Sequence, residues 1–162
     1  MIEFDRCQFE EYARAVFTTD SPSGCTADAI ALIKNYVEEL GYTTHVHNKG
    51  TLEVDVPGLD ASKTVATSAH VDTLGMMVRS VKSGGTLALT KVGGPICPTL
   101  DGEYCTVLTR EGKRYSGTIL SLAPAVHVYP DAATMTRDAD HLEVRLDEEV
   151  KSAEDVKALG ID

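Results

Sequence analysis

The stretch Thr64–Val78, TVATSAHVDTLGMMV, decides how the rest of the chain is read. Its first six residues, Thr64 to Ala69, are small or β-branched and predict a buried strand. That strand would deliver His70 and Asp72 at its end, with Gly75 and a second apolar run immediately after. Residues two apart on a strand point to the same side, so the imidazole and the carboxylate share a face. A neutral imidazole is a good ligand for zinc, cobalt or a similar divalent ion, and a nearby carboxylate accepts its other N–H and fixes the tautomer. Alone, the His-x-Asp pattern equally describes a satisfied histidine at a strand end. Its place at the end of a strand in an α/β layer, where such layers bind ligands, favours a site.

Upstream of this stretch the pattern is helical. From Glu3 to Phe17 the residues Phe4, Cys7, Tyr12, Ala15 and Val16 suit a short amphipathic helix, closed by the turn formers TTDSPSG. Thr26 is placed to N-cap a second helix with Asp28 in its first turn, Ile30, Ile33, Val37 and Leu40 at helical spacing, and Gly41 as its stop. Tyr42–His47 and Thr51–Val56 alternate around an Asn-Lys-Gly turn and predict a β-hairpin or two adjacent strands, closed by Pro57-Gly58.

Downstream the texture changes. The runs MMVRSV, TLALTKV, YCTVLTR, YSGTILSL and HLEVRLD are separated by glycine-rich turn signals and predict a small all-β barrel or sandwich. A last helix is expected in SAEDVKALG, capped by Ser152, with Glu154 and Asp155 in its first turn and Gly160 at its stop. This places a boundary near residue 73, giving an α/β part, 1–72, and a β module, 73–162.

Composition narrows the function classes. With 162 residues the chain can bury roughly 70% of its unfolded surface. Hydrophobic residues at 43% and charged residues at 25% are globular values. A net charge of -10, from 15 basic and 25 acidic residues without a basic cluster, excludes a nucleic-acid binder that works by phosphate neutralisation. No apolar run approaches the ~18 residues of a membrane span, and Met1 is followed by acidic residues, so a cytoplasmic protein is expected. Cys7, Cys25, Cys97 and Cys105 form no CxxC pair and are expected to be free thiols buried as small hydrophobes.

The remaining candidates read as structural. His45 and His47 share a strand face with no acid at matching spacing; His127 and His141 read as polar residues flanking strands. Asp138, Asp140, Glu143, Asp147, Glu148 and Glu149 resemble a solvated face and lack the spacing and central glycine of a calcium loop. The glycine pairs at 84–85 and 93–94 precede no helix, and GxSxG, Walker and HExxH sequences are absent.

Five pieces in order carry a family resemblance: SPSG at 21–24, GTL at 50–52, SAHVDTLGMMV at 68–78, KVGG followed by LDGEYCTVLTREGKRYSGTI at 91–119, and LDEEVKSAEDVKALGI at 146–161. Together they resemble the first half of the glutamyl-aminopeptidase and tetrahedral-aminopeptidase family of dinuclear metallopeptidases. The resemblance implies part of a zinc-exopeptidase-like α/β core, 1–72, followed by an inserted small β-barrel dimerisation module, 73–162. It implies peptide substrates trimmed from the N-terminus, two divalent ions (zinc or cobalt), and dimers that assemble into dodecameric shells. His70 would be a ligand of one metal and Asp72 the residue that orients it. Thr73 stands where the family often has Glu. The family's bridging Asp, its Glu-Glu pair with the general base, its later Asp and its final His lie downstream of the segment similar to KALGID. A chain ending at Asp162 is therefore expected to bind metal weakly and to be inactive alone, because two ions and an attacking water need more than one ligand and a base. Two other classes remain: an interaction module in which 73–162 docks a partner beside a non-catalytic remnant, and a carbohydrate-active enzyme, which would need paired acids at a cleft.

Overall fold

The computed structural model describes residues 4–162, so the Glu3 start expected for the first helix lies outside the described residues. The chain divides into two compact units, Met1–Leu74 and Gly75–Asp162, each considered by itself below.

In the first unit, α1 (Arg6–Thr18) is capped by Asp5, whose side chain accepts from Gln8 N at 3.0 Å. Helix α2 (Ala27–Glu39) has Asp28 in its first turn and ends before Gly41, which adopts φ 88°. Thr26 departs from expectation: it precedes the helix but its side chain makes no capping bond. Tyr12 and Tyr36 stack with ring centroids 4.1 Å apart and join the two helices. Strands β1 (Thr43–Val46) and β2 (Leu52–Asp55) form the expected antiparallel hairpin, with His45 opposite Glu53.

The predicted buried strand at Thr64–Ala69 is not formed. Residues 64–70 have no regular secondary structure, lie outside any ladder and are exposed, with Val65 at 90%. β-branched residues favour extended backbone, but a strand exists only where a neighbour accepts its N–H and C=O groups. Among the described residues the isolated bridge of this segment comes later, at Thr73, which pairs in parallel with Pro22. This unit also leaves Phe9, Phe17, Leu40 and Val56 exposed, while Ala29 is its buried apolar residue.

The second unit contains five antiparallel strands: β3 (Gly75–Val81), β4 (Leu87–Val92), β5 (Tyr104–Leu108), β6 (Arg114–Ser121) and β7 (Leu142–Leu146). All five match the predicted runs. Their order is β3-β4-β7-β6-β5, a curled half-barrel whose edges β3 and β5 remain unpaired with each other. The alternation dictates the core: Leu142, Val144 and Leu146 of β7 point inward with Leu87 and Leu89 of β4 and Ile119 of β6, while Glu143 and Arg145 face away. Helix α3 (Ala153–Ala158) closes one side. Ser152 caps it by accepting from Asp155 N at 3.1 Å, Val156 is fully buried, and the Tyr115 hydroxyl donates to Leu159 O at 2.9 Å.

An irregularity between Val78 and Ser80 inserts Arg79 as an extra residue on edge strand β3. Arg79 then meets Asp140 at 2.6 Å, and Lys82 meets Glu143 at 2.7 Å. The acidic run is thus partly paired across 61 residues of sequence rather than wholly solvated. The long connection from β6 to β7 is held at its end by Arg137, whose guanidinium donates to Ala132 O and Met135 O and meets Asp101. His127 sits exposed in this connection, among turns rather than beside a strand.

Candidate functional site

The segment after residue 69 is organised by its contact with the loop ahead of α2. Thr73 N donates to Ser21 O at 2.7 Å and Ser23 N donates to Thr73 O at 3.3 Å. This pair of backbone bonds draws Ser23 to Asp72, and the Ser23 hydroxyl donates to Asp72 Oδ2. Asp72 in turn faces His70: Nδ1 lies 3.1 Å from Oδ1 and 3.0 Å from the Asp72 carbonyl oxygen. The Ser23 hydroxyl, and after it the neighbouring His70, hold the Asp72 carboxyl below its ordinary pKa.

Both partners of Nδ1 are acceptors, so Nδ1 carries the proton and Nε2 of the neutral ring keeps its lone pair. The side chain is 85% exposed, which leaves Nε2 accessible. The expected proximity of His70 and Asp72 is therefore present, although the backbone that carries it is not a paired strand. His70→Ala should leave the thermal midpoint within about 2 °C of the parent, as for exposed surface substitutions. A larger drop in a circular-dichroism melt would assign this imidazole a structural part.

The other histidines fall elsewhere. His45 and His47 do share a face, with rings edge-on at 4.5 Å, but an acid does match them: His47 Nε2 lies 2.6 Å from Glu53 Oε2 on the paired strand. Register across the hairpin, rather than spacing along one strand, brings that carboxylate in. His141 Nδ1 lies 2.7 Å from Asp138 Oδ1 and is the main reason the Asp138 carboxyl sits low. All four cysteines are free, yet Cys7 and Cys25 are exposed rather than buried. Only Cys97 and, in part, Cys105 behave as small hydrophobes; burial first, and then Asp147, push the Cys105 thiol upward.

A tetrahedral zinc site needs four donors, and a co-catalytic pair needs more. His70 supplies one. No group of three or more His, Cys, Asp or Glu among the described residues is arranged to hold a metal ion. Ser23, which orders the constellation, is legible in sequence only as part of the turn-forming SPSG piece of the family resemblance; its bond to a residue 49 positions away is not.

This fold has counterparts among solved structures. A tetrahedral (TET) aminopeptidase of the marine sediment archaeon Thaumarchaeota archaeon SCGC AB-539-E09 superposes with a TM-score of 0.83 at 22% identity, covering 96% of this chain and 42% of its own. The TET1 peptidase of Pyrococcus horikoshii, described as assembling into a tetrahedron or a large octahedral shell, gives 0.71 at 20% identity, covering 94% of this chain and 44% of its own. The chain has the fold of the N-terminal portion of such peptidases.

The sequence profile of the M42 glutamyl aminopeptidases matches residues 50–162, and the chain belongs to that family. YhfE of Bacillus subtilis strain 168, a protein named for an inferred aminopeptidase activity, is 39% identical over 151 residues. That match covers 93% of this chain and 44% of the relative, so the chain spans less than half the length of this curated relative. Among the described residues no helix is long and apolar enough to cross a membrane.

Proposed function

We propose that this chain is the N-terminal portion of a cytoplasmic, metal-dependent aminopeptidase that removes N-terminal residues from peptides. Residues 1–72 form part of its α/β catalytic core, and residues 73–162 form the inserted β module through which copies pair, first as dimers and then as dodecameric shells. The observation that carries the reading is the ordered set Ser23, Asp72 and His70 in a chain of the M42 family. His70 Nε2 is one ligand of a divalent ion, zinc or cobalt, and Asp72 orients it. When bound, a co-catalytic pair polarises the scissile carbonyl and lowers the pKa of an attacking water. This chain's own contribution is to present one imidazole in one tautomer.

The exposed apolar residues of the first unit and the unpaired segment 64–70 support the same reading. They are surfaces a complete core would cover and a ladder it would extend. The 162-residue chain alone is expected to release nothing from aminoacyl p-nitroanilides with added zinc or cobalt; release would refute the assignment of one ligand to this portion. Joining residues 1–162 to the remainder of the Bacillus relative is expected to give metal-dependent release that His70→Ala abolishes. A folded chimera that stays inactive where the relative hydrolyses would sink the peptidase reading.

A second reading, an interaction module, is favoured by one observation: the core around Leu87, Leu142 and Val156 lies wholly within Gly75–Asp162.

A further inference from the structure

We infer that Ser23 is a positioning residue for His70, acting through Asp72 to hold the imidazole in its Nδ1–H tautomer with Nε2 free. The inference deepens the peptidase reading by assigning a role to a residue in the SPSG turn. It rests on that reading only for the use to which the free nitrogen is put.

The geometry assigns the role in three steps. First, the backbone brings Ser23 to the site independently of its side chain: Thr73 N donates to Ser21 O, and Ser23 N donates to Thr73 O. The chain then turns away at once, through Cys25 N donating to Pro22 O at 2.8 Å and Gly24 at φ 87°. At that φ an L side chain would be strained, so the glycine lets the loop leave directly after Ser23. Second, the carboxylate of Asp72 is engaged at both oxygens, Oδ2 by the Ser23 hydroxyl and Oδ1 by His70 Nδ1. Rotation about its terminal torsion, broad for an unrestrained Asp, would break both bonds together. Third, a carboxylate held in this way presents Oδ1 as an acceptor to Nδ1. The opposite tautomer would set the Nδ1 lone pair against two oxygens, Oδ1 and the Asp72 carbonyl. Unrestrained histidine in water favours that opposite tautomer, so the preference must come from these partners.

Ser23 is exposed, and removing its hydroxyl opens no cavity. The test is long-range proton–nitrogen NMR of the 162-residue chain labelled with nitrogen-15 in histidine, at a pH well above the ordinary imidazole range. His70 signals are assigned by their loss in His70→Ala. The parent is expected to show a protonated Nδ1. In Ser23→Ala the ratio of Nδ1–H to Nε2–H is expected to fall about fivefold, the equivalent of one hydrogen bond, whereas Ser23→Thr keeps the parent ratio. An unchanged ratio in Ser23→Ala overturns the inference. Should the alanine variant fail to fold, Ser23→Gly, which also lacks the hydroxyl, decides: a fallen ratio supports the role and the parent ratio in a folded chain refutes it. The readout needs no metal and no turnover, so its failure is distinct from an inactive chimera, which would count against the peptidase reading alone.

Discussion

Leu142→Ala is expected to destabilise the β unit by about 3–5 kcal/mol, the cost of deleting a large buried side chain from a core that relaxes only in part. Leu142 is 1% exposed and begins β7, the middle strand of the order β3-β4-β7-β6-β5. It packs in the cluster that contains Leu87, Val144, Val156 and Ile161, drawn from two strands, a helix and the chain end. No single neighbour can move into the space without leaving another. For a unit of this size each kcal/mol is worth about 4–8 °C, so the midpoint should fall by about 12 °C or more. Denaturant unfolding should show a lower midpoint with an unchanged slope. Leu142→Met, which conserves volume, should cost less than about 1.5 kcal/mol. A loss below about 1 kcal/mol in the alanine variant would mean that the core lies elsewhere.

Gly117→Val is expected to be at least as damaging, for the opposite reason. A Cβ at Gly117 would stand 2.8 Å from Arg145 O and 2.9 Å from Val144 Cγ1, both inside van der Waals contact. One obstacle is backbone of the neighbouring strand β7, so no rotamer change relieves it. Gly117 pairs with Leu146 on that strand and with Cys105 on β5, so any retreat disturbs two ladders. Ala alone should cost about 1–3 kcal/mol by overpacking, and the branched valine more. The measurement is the midpoint of Gly117→Ala against Gly117→Val. If both melt with the parent, β6 and β7 do not approach as closely as described.

These two positions differ in how far they could be anticipated. Leu142 is legible: it is the first apolar residue of the alternating run HLEVRLD, whose inward residues are separated by charged ones. Gly117 is half legible, since a glycine inside a strand run signals close backbone approach without saying what approaches. The five strands of the second unit share the advantage of Leu142. Each carries its own alternation, and glycine turns mark most of their ends, so local chemistry and tertiary pairing agree.

The stretch from Thr64 to Val78 divides at this same line. Its sequence determined that His70 and Asp72 lie close enough to bond and that a new β unit begins near residue 73, a boundary the structure sets at Gly75. It could not determine that Thr64–Ala69 would lack a ladder, because a strand is a relation between two segments and β-branched residues specify only one of them. Nor could it couple Ser23 to Asp72, or Glu53 to His47. Those contacts depend on loop closure and hairpin register, which bring together residues that no local spacing relates. The tertiary structure decided them by satisfying backbone groups at Ser21, Ser23 and Thr73, and the imidazole of His70 takes its orientation from that closure.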